Sequence, residues 1–467
     1  MIPTSPLAAL PLQAPSTLPL QDQVYQRIRE AIADGRLAPG ERLPSTRSLA
    51  AQLNVSRGTV DAAYGRLAGE GCILGRGAAG TVVAPDFRPA APAAAAPAAP
   101  YTPPDDYLWP FRGGLPALDL FPRTLWASLA AKAARRLDVA RFCYPDPRGL
   151  PELRSAIAAH LLVSRGIACD PAQVFVTAGY QAALQLVAGL VTQPGDEAWF
   201  EDPGYRFARR ALEAAHLRLA LVPVDAAGLD VGHARRHHPG ARLAVVTPGH
   251  QSPLGVALSL PRRLALLDWA HATDAWVLED DYDSEFHYVG RKPAALKSAD
   301  RRDRVFYAGS FSKTLFPGLR LGCLVVPAAW VEAATAACEL SCRGHGLQEQ
   351  AALAAFMADG HYARHLRRMR LRYAERSAAL ARALQQRFGR RIDIEAPEGG
   401  LTLLARFPGR DDDTQLVQLA RSQGLAPSAL SAHAVTHEAG QGLLIGFTNV
   451  KPEQAADAAA RLKCALG

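Results

Sequence analysis

The stretch AGSFSKTLFPGLRLG, residues 308–322, decides how the rest of the chain is interpreted. Its central Lys313 is one of only six lysines in a chain with 46 arginines. An arginine can replace a lysine as a charge, but its guanidinium stays protonated and cannot form an imine. Lys313 lies between Ser312 and Thr314, and Arg320 follows seven residues later. This setting predicts the attachment point of a phosphate-bearing aldehyde, pyridoxal 5'-phosphate. The alternative is an ordinary solvated lysine.

An acidic strand end supplies the next part of such a site. The pyridine nitrogen of pyridoxal phosphate needs an acidic partner if the ring is to withdraw electrons. The segment AWVLEDDYDSEF, residues 275–286, ends a predicted strand in carboxylates. We assign Asp280 to the nitrogen, with Asp281 as the alternative, and Tyr282 to the phenolic oxygen of the ring. A metal site is the competing interpretation, but no histidines stand at ligand spacing.

The phosphate requires backbone N–H groups at a helix start, together with hydroxyls and a cation. In VFVTAGYQAALQL a strand passes into a helix through Gly179, Tyr180 and Gln181, which we predict to hold the phosphate. Taken alone, one glycine at such a junction is usually just a turn. The remaining predicted contacts are Ser310, Ser312 and Arg320.

Two further loop residues complete the predicted cofactor contacts. Tyr205 follows a Pro-Gly turn, where an aromatic ring could stack on the cofactor, although a tyrosine is more often part of a core. Gln251 lies in the loop TPGHQSPLG and is a second candidate partner for the phenolic oxygen.

Short apolar runs alternate with helical patterns throughout the region around these motifs. This alternation predicts an α/β fold with a mostly parallel sheet and helices on both faces. The predicted strands are residues 173–177, 197–201, 242–246, 275–279, 304–309 and 322–326.

Composition divides the chain into four segments. Residues 1–17 are apolar but broken by prolines, and we expect a disordered tail. Residues 18–84 form a compact stretch. Residues 85–106 are rich in proline and alanine and cannot build a core, so they are predicted to be a linker. Residues 107–467 hold the cofactor motifs.

The pattern of residues 18–84 predicts a winged helix-turn-helix. A first helix spans about Gln21 to Asp34, and its apolar residues fall on one face. Ser45 and Ser56 are N-cap candidates for the second and third helices. The run CILGRGAAGTVVA, residues 72–84, predicts two short strands with Arg76 at their tip. The alternative is a small three-helix domain for protein contacts.

Bulk properties restrict the class of protein. The chain has 467 residues, which suits two or three domains, and 49% apolar and 21% charged residues, which is typical of folded globular proteins. A net charge of +8 permits contact with a polyanion. No apolar run approaches the roughly 20 residues needed to cross a bilayer, so we expect no membrane segment.

Cysteine usage bears on compartment and on metal binding. Seven cysteines at irregular spacing favour reduced thiols in a cytoplasm. Cys338, Cys342 and His345 could share a helical face, but no fourth ligand pairs with them at zinc-like spacing, so no metal is expected.

Residues 43–67, LPSTRSLAAQLNVSRGTVDAAYGRL, resemble the GntR family of bacterial regulators. The resemblance implies a domain that binds double-stranded DNA through the N-terminal parts of its second and third helices. The residues implied to contact DNA are Ser45, Arg47, Ser56, Arg57 and Thr59.

The strings TAGYQAAL, LEDDYDSEF and GSFSKTLFPGLRLG resemble fold-type I aminotransferases. Together with the N-terminal segment, they make the whole chain resemble the MocR/GabR subfamily of GntR regulators, in which a winged helix is fused to an aminotransferase-like domain. The resemblance implies a head-to-tail homodimer with cofactor sites at the subunit boundary, where Tyr144 would reach the partner's phosphate.

The chain departs from a working transaminase at one position. Transaminases clamp the substrate carboxylate with an arginine near their C-terminal strands, by bidentate pairing. Here residues 442–450 read GLLIGFTNV, with Leu444 or a neighbour in that place, and no arginine occurs between Arg421 and Arg461. Arg206 is a weak substitute and is better explained as a surface or dimer contact.

We therefore expect a transcriptional regulator that senses pyridoxal phosphate, an amine or an amino acid through an imine on Lys313. Enzymatic turnover is not the main expectation, although residual half-reactions fit the cofactor set. The alternative is an active aminotransferase with an appended DNA-binding domain.

Overall fold

The computed structural model describes residues 18–87, 105–136, 143–290, 292–341, 344–395, 398–409, 412–437 and 439–467. The chain divides into two compact units, Met1–Thr102 and Pro103–Gly467. The predicted tail and most of the predicted linker lie outside the described residues. The end of that linker does not, because Asp106 is buried in the second unit, where its carboxylate contacts Arg112 and Arg421.

The first unit contains three helices and a two-stranded wing. Its elements are α1 (Leu20–Ala33), α2 (Thr46–Leu53), α3 (Arg57–Gly69), β1 (Ile73–Gly75) and β2 (Thr81–Val83). The strands pair antiparallel, with Ile73 opposite Val83. Apolar residues spaced three and four apart bury one face of α1 against α3, including Ile28 and Leu67. The predicted winged helix-turn-helix is confirmed.

Local hydrogen bonds set the boundaries of α2 and α3. The hydroxyl of Ser45 accepts from the Ser48 N–H at 3.1 Å, and that of Ser56 accepts from the Thr59 N–H at 3.1 Å. These bonds satisfy N–H groups that have no partner within a helix, so both serines are N-caps. Between the two helices, Asn54 takes the left-handed conformation with φ 52°, which an asparagine tolerates in a tight turn.

The second unit is built on an eight-stranded sheet. Its strands are β3 (Val174–Thr177), β4 (Glu197–Asp202), β5 (Arg218–Asp225), β6 (Gly228–Leu229), β7 (Leu243–Val246), β8 (Trp276–Asp281), β9 (Val305–Ser310) and β10 (Gly322–Val325). They lie in the order β3-β10-β9-β8-β7-β4-β5-β6. The five strands from β9 to β5 are parallel, whereas β10 is antiparallel to both of its neighbours. The predicted mostly parallel α/β sheet is confirmed.

Twelve helices accompany this sheet in the described residues. They are α4 (Arg123–Arg136), α5 (Pro151–Arg165), α6 (Tyr180–Val191), α7 (Arg206–Ala214), α8 (Val231–His237), α9 (Leu260–Ala272), α10 (Leu296–Ala299), α11 (Val331–Ser341), α12 (Leu347–Ala358), α13 (His361–Phe388), α14 (Asp413–Ser422) and α15 (Ala455–Leu466). Separate apolar clusters pack on the two faces of the sheet. One includes Phe306 and Leu184 and the other includes Trp199 and Val277.

A smaller antiparallel sheet closes the second unit. It contains β11 (Asp393–Glu395), β12 (Thr402–Arg406), β13 (Ser428–Ala429) and β14 (Leu443–Gly446), in the order β11-β12-β14-β13. The segment that enters the second unit runs along β14, because Phe111 forms a bridge with Gly446.

Strand directions determine where a ligand can bind. The carboxyl ends of β8 and β9 lie at one edge of the large sheet, and β3 ends at the same edge because it is antiparallel to β10. Parallel sheets bind ligands at this edge. The loop from Ser310 to Gly322 leaves β9 there and returns there as β10.

Candidate cofactor and DNA-binding sites

A cavity of about 1070 Å³ lies at the carboxyl edge of the large sheet and is also lined by the small sheet. Its walls come from the second unit alone. The predicted cofactor residues that line it are Tyr180, Gln181, Tyr205, Asp280, Tyr282, Ser310, Ser312, Lys313 and Arg320. Residues separated by up to 140 positions thus meet in one space, which is large enough for a cofactor and a small ligand.

Lys313 is held by the segment that enters the second unit and runs along β14. Its Nζ donates to the backbone oxygen of Gly114 at 2.6 Å. Gly114 has φ +74°, a conformation that favours glycine, and a Cβ there would come within 2.9 Å of the same Nζ and displace the amine. Burial lowers the pKa of Lys313, although Asp283 and Asp280 act to raise it. A lysine so placed is not an ordinary solvated surface residue.

Asp280 and Asp281 are adjacent on β8 and therefore point to opposite faces of the sheet. Asp280 is buried against the cavity, and its Oδ1 has no hydrogen-bond partner among the described residues. Burial and the charge of Asp281 raise the pKa of Asp280 well above its usual value. A buried, unpartnered carboxylate oxygen fits a protonated ring nitrogen.

Asp281 has a different environment. Its carboxylate lies 2.6 Å from the Arg165 guanidinium and accepts from the Tyr307 hydroxyl at 2.7 Å. Although burial acts to raise the pKa of Asp281, Arg165 holds that pKa below its usual value. These partners leave the cavity face to Asp280, so the geometry favours Asp280 over Asp281 as the partner of the ring nitrogen.

The predicted phosphate residues surround the start of α6. Gly179 is the N-cap, with φ +89° and no side-chain cap, which leaves the first N–H groups of the helix for a ligand. The Arg320 guanidinium donates to the Ala178 oxygen at 2.7 Å and lies beside Gly179. The Ser310 hydroxyl accepts from the Ser312 N–H at 3.2 Å. Together these residues present N–H groups, hydroxyls and one cation, which fits a phosphate.

Two buried polar side chains at the start of α6 add to this fit. The Tyr180 hydroxyl and the Gln181 Nε2 line the cavity wall beside Asp280 and Tyr205, but neither forms a hydrogen bond of ordinary geometry in the described part of the chain. The ring of Tyr205 lies 6.3 Å from that of Tyr180, between centroids, and is half-buried at the cavity. Such groups are costly to bury without a ligand, which supports a cofactor at this position.

The structure argues against Gln251 as a cofactor contact. Its Nε2 donates to Glu201 at 3.2 Å and to the Pro203 oxygen at 2.8 Å, and its Oε1 accepts from the Leu254 N–H at 3.0 Å. The amide is thus used inside the protein, next to a Glu201 carboxyl whose pKa burial raises to about 7. The adjacent Ser252 lines the cavity instead. The sequence could not distinguish the two because neighbouring loop residues do not follow a fixed alternation.

Sequence reasoning also missed a histidine and an aspartate beside Tyr282. The Nδ1 of His250 lies 3.1 Å from the Asp283 carboxylate and 3.1 Å from the Tyr282 hydroxyl. Although burial acts to lower the pKa of His250, Asp283 raises it. Gly400, which lies just before β12, packs so close that a Cβ there would lie 2.2 Å from His250 Cε1. The signal that could have found this group is His250 itself, a titratable residue in a Pro/Gly-bounded loop.

The small sheet presents an apolar wall at the position where a transaminase has the arginine that binds the substrate carboxylate. Leu444 of β14 lines the cavity and packs with Leu404, Leu430 and Leu254. Arg206 also lines the cavity, and its guanidinium lies 4.8 Å from the centroid of the Phe207 ring. The geometry therefore leaves Arg206 facing the cavity rather than only the outer surface.

The predicted DNA contacts cluster at two helix starts in the first unit. They are Ser45, Arg47, Ser56, Arg57 and Thr59. Thr59 is half-buried and the other four side chains are exposed. Within the described residues, Arg57 makes an exposed ion pair with Asp61 at 3.3 Å, which contributes little and leaves the guanidinium able to reach a ligand.

The described residues contain no group of three or more histidine, cysteine, aspartate or glutamate side chains placed to hold a metal ion. Of the three candidate ligands in the sequence, Cys342 lies outside the described residues. Within the described ranges, no helix combines the length and apolar character needed to cross a membrane.

Comparison with known families matches both units. Residues 20–83 match the family of bacterial regulatory proteins called gntR, and residues 122–462 match aminotransferase class I and II. The chain therefore combines a GntR-type helix-turn-helix domain with a fold-type I aminotransferase-like domain that binds pyridoxal 5'-phosphate.

Comparison with individual proteins identifies the subfamily that has this combination of domains. The chain is 37% identical over 462 residues to the probable rhizopine catabolism regulatory protein MocR of Rhizobium meliloti, which covers 95% of this chain and 93% of that one. It is 34% identical over 456 residues to the HTH-type pyridoxine biosynthesis transcriptional regulator PdxR of Corynebacterium glutamicum, with 96% and 95% covered. A kynurenine aminotransferase of Pyrococcus horikoshii, solved in complex with PMP, is 25% identical and superposes with a TM-score of 0.69 over 76% of this chain and 89% of that one. The chain belongs to the MocR/GabR subfamily of GntR-type transcriptional regulators and is a pyridoxal phosphate-dependent regulator of transcription.

Proposed function

We propose that the second unit senses a small molecule at Lys313 and that the ligand changes how the protein presents its winged helices to DNA. The ligand is pyridoxal phosphate itself, an amine or an amino acid. The observation that carries the proposal is a complete set of cofactor-holding groups facing an apolar wall at Leu444. A transaminase needs a carboxylate clamp on that wall, whereas a sensor needs only ligand-dependent binding.

Pyridoxal phosphate supplies an aldehyde and an electron-withdrawing ring when it is bound. Lys313 is suited to attach it because burial lowers the pKa of the amine and so increases its neutral, nucleophilic fraction. Asp280, buried at the cavity, would hold a proton on the ring nitrogen. Tyr205 would pack against the ring, and Tyr282, which lies beside His250, would hydrogen-bond the phenolic oxygen.

The phosphate would bind at the start of α6. There, Gly179 lets the backbone approach closely and Arg320 supplies the balancing charge. Ser310 and Ser312 add hydroxyl donors from the loop that also carries Lys313. The same short loop thus fixes both the phosphate and the amine, which sets the orientation of the ring between them.

DNA binding is assigned to the exposed starts of α2 and α3. Helix N-termini and hydroxyls bind phosphates, and the N-terminal part of a recognition helix meets base edges. Arg57 is the candidate for base recognition because its guanidinium is held only by the exposed Asp61. Arg47 is the candidate for a backbone phosphate.

We further propose a head-to-tail homodimer in the cytoplasm. Tyr144 is the candidate contact across the dimer, because its side chain is exposed in the single chain and the family resemblance implies that it reaches the partner's phosphate. A dimer would carry two winged helices and would read two half-sites. Sedimentation velocity of the purified protein would show a single species of twice the 49.9 kDa chain mass. A monomer would contradict the arrangement.

The second candidate is an active aminotransferase with an appended DNA-binding domain. The same cofactor groups favour it, since Lys313 could also move protons on a bound substrate. Incubation with a panel of amino acids, followed by measurement of oxo-acid release, distinguishes the two. Many turnovers per site would support an enzyme, whereas release limited to one equivalent would support a sensor.

Gel retardation on the DNA upstream of the protein's own gene tests the leading proposal. We expect affinity for this DNA to change when pyridoxal phosphate or an active amine is added. Lys313→Ala should remove the visible absorption of the bound cofactor and the DNA response together. Lys451→Ala is a matched control because Lys451 is exposed and does not line the cavity. A response that survives Lys313→Ala would refute the proposal.

A further inference from the structure

We propose that Arg112 and Arg421 form an anion subsite that binds a carboxylate of the effector, in place of the arginine that β14 lacks. The inference rests on the proposed function, in which the amino group of the effector is bound at Lys313. It assigns the effector to the class of amines that carry a carboxylate.

The position of Arg112 supports this role. It lies two residues before Gly114, whose oxygen accepts from the Lys313 amine at 2.6 Å. The preceding residue, Phe111, accepts from the Gly446 N–H of β14 at 2.9 Å. Arg112 is therefore carried by a segment that runs from β14 to the attachment lysine. Arg112 therefore brings a positive charge to the cavity next to β14, although β14 itself has Leu444 in place of an arginine.

Arg421 approaches the same region from the end of α14. Both arginines line the cavity, and both contact the single carboxylate of Asp106. The Asp106 Oδ2 lies 3.2 Å from Arg112 and 2.7 Å from Arg421. Two positive charges thus share one negative charge. The local excess of one positive charge favours an anionic ligand group.

The exposed fractions of the three side chains show that the two arginines, unlike Asp106, remain accessible to a ligand. The Asp106 side chain is only 4% exposed, whereas those of Arg112 and Arg421 are 34% and 42% exposed. A guanidinium has five N–H donors in a planar fork, and Asp106 cannot engage all of them on both arginines. The remaining donors match the planar shape of a carboxylate.

The other carboxylates of this wall do not remove the excess charge from the arginine pair. Glu395 is paired with Arg406 at 3.0 Å. Glu398 lines the cavity and is exposed, so its charge is screened by solvent. Asp106 is thus the direct competitor of an effector carboxylate for Arg112 and Arg421.

The competition predicts opposite effects for two substitutions. Arg112→Gln removes one cation and should weaken binding of a carboxylate-bearing amine. Asp106→Asn removes the competing charge and should strengthen it. Arg382→Gln is the matched control, because it removes an exposed cation of α13 that does not line the cavity and leaves the Arg406–Glu395 pair intact.

The experiment uses full-length protein loaded with pyridoxal phosphate. Straight-chain amino acids with a terminal amino group, and alkylamines of the same length, are titrated while the visible spectrum is followed, and affinities are checked by equilibrium dialysis. We expect the wild type and Arg382→Gln to prefer the amino acid by about tenfold or more. The preference should vanish in Arg112→Gln and increase in Asp106→Asn.

The outcomes separate this inference from the proposed function. A visible cofactor band in every variant shows that the Lys313 site is intact, and loss of that band from the wild type would instead overturn the proposed function. With the band intact, three results would overturn the anion subsite. They are equal affinity of the wild type for both ligand series, no spectral response to either series, and a preference that persists in Arg112→Gln. Arg112→Lys, which keeps the charge, should retain part of the preference if Arg112→Gln folds poorly.

Discussion

Replacing Asp280 by asparagine should stabilise the cofactor-free protein, whereas the same change at the adjacent Asp281 should destabilise it. Asp280 is buried, has an unpartnered Oδ1 among the described residues and is repelled by Asp281. Asp281 is buried against Arg165 at 2.6 Å. The Asp280 side chain thus destabilises the folded, cofactor-free protein, whereas the neighbouring Asp281 side chain stabilises it.

The size of the Asp280 effect follows from its burial. Asparagine also leaves a buried polar group at this position, so the gain comes from the proton that Asp280 must hold. The upper limit is about 4 kcal/mol at pH 7, because a carboxyl that stays neutral there must keep a proton that an unfolded aspartate, with pKa about 3.9, has released. We expect Asp280→Asn to raise the free energy of unfolding by an amount up to this limit. Asp281→Asn should lower it by about 3 kcal/mol, because it leaves the buried Arg165 without its charge partner.

The pH dependence has opposite signs as well. The pKa of Asp280 is raised in the folded protein, so its cost is absent below about pH 4 and grows as the pH rises toward the folded pKa. The pKa of Asp281 is lowered, so its contribution is present above about pH 4 and is lost as the pH falls toward the folded pKa. The gain from Asp280→Asn should therefore increase from pH 4 to pH 7.

Urea unfolding of the full-length, cofactor-free protein measures both effects. Tryptophan fluorescence reports on the second unit alone, because all six tryptophans lie between Trp109 and Trp330. The same Asp280→Asn protein should bind pyridoxal phosphate about 100-fold more weakly, since it loses the acid opposite the ring nitrogen. If both substitutions shift the transition to lower urea, the assigned environments of Asp280 and Asp281 are wrong.

Three further predictions concern other parts of the protein. Ser56→Ala removes an N-cap and should destabilise the first unit by about 1 kcal/mol, measured by circular dichroism, while an unchanged transition would show that the cap contributes nothing. Arg57→Ala breaks an exposed ion pair, so the free energy of unfolding should change by less than about 0.5 kcal/mol, whereas sequence-specific retardation of DNA in a gel should be lost. An unchanged gel shift would exclude Arg57 from DNA recognition. Gly400→Ala adds a Cβ 2.2 Å from His250 Cε1 at a residue with φ +77°, so cofactor binding measured by equilibrium dialysis should weaken by at least tenfold. An unchanged affinity would show that His250 can move away from the added methyl group without affecting the cofactor.

The strands and the winged helix-turn-helix could be predicted because their signals are local. Apolar runs and cap residues fix β8, β9 and α3 without knowledge of their neighbours, and the structure has them within one or two residues of the expected positions. Lys313 could be singled out because arginine cannot perform its chemistry. The order of motifs along the chain then placed Asp280 and Arg320 near it.

Other features depend on tertiary packing and could not be predicted. Gln251 and Ser252 are neighbours in one loop, and only the position of the Glu201 carboxyl determines that Gln251 is used inside the protein. Asp106 was assigned to the linker because proline and alanine dominate the sequence before it. Its two arginine partners are 6 and 315 residues away, and no local pattern connects them.

The central claim is that a ligand at Lys313 controls binding to DNA. Its most direct test is the dissociation constant for the upstream DNA, measured for the wild type and Lys313→Ala with and without pyridoxal phosphate and an amine that changes the visible spectrum. We expect the ligand to shift the wild-type constant by at least about fivefold, which is the lower end of typical allosteric coupling, and to leave that of Lys313→Ala unchanged. Equal constants for the wild type with and without ligand would contradict it.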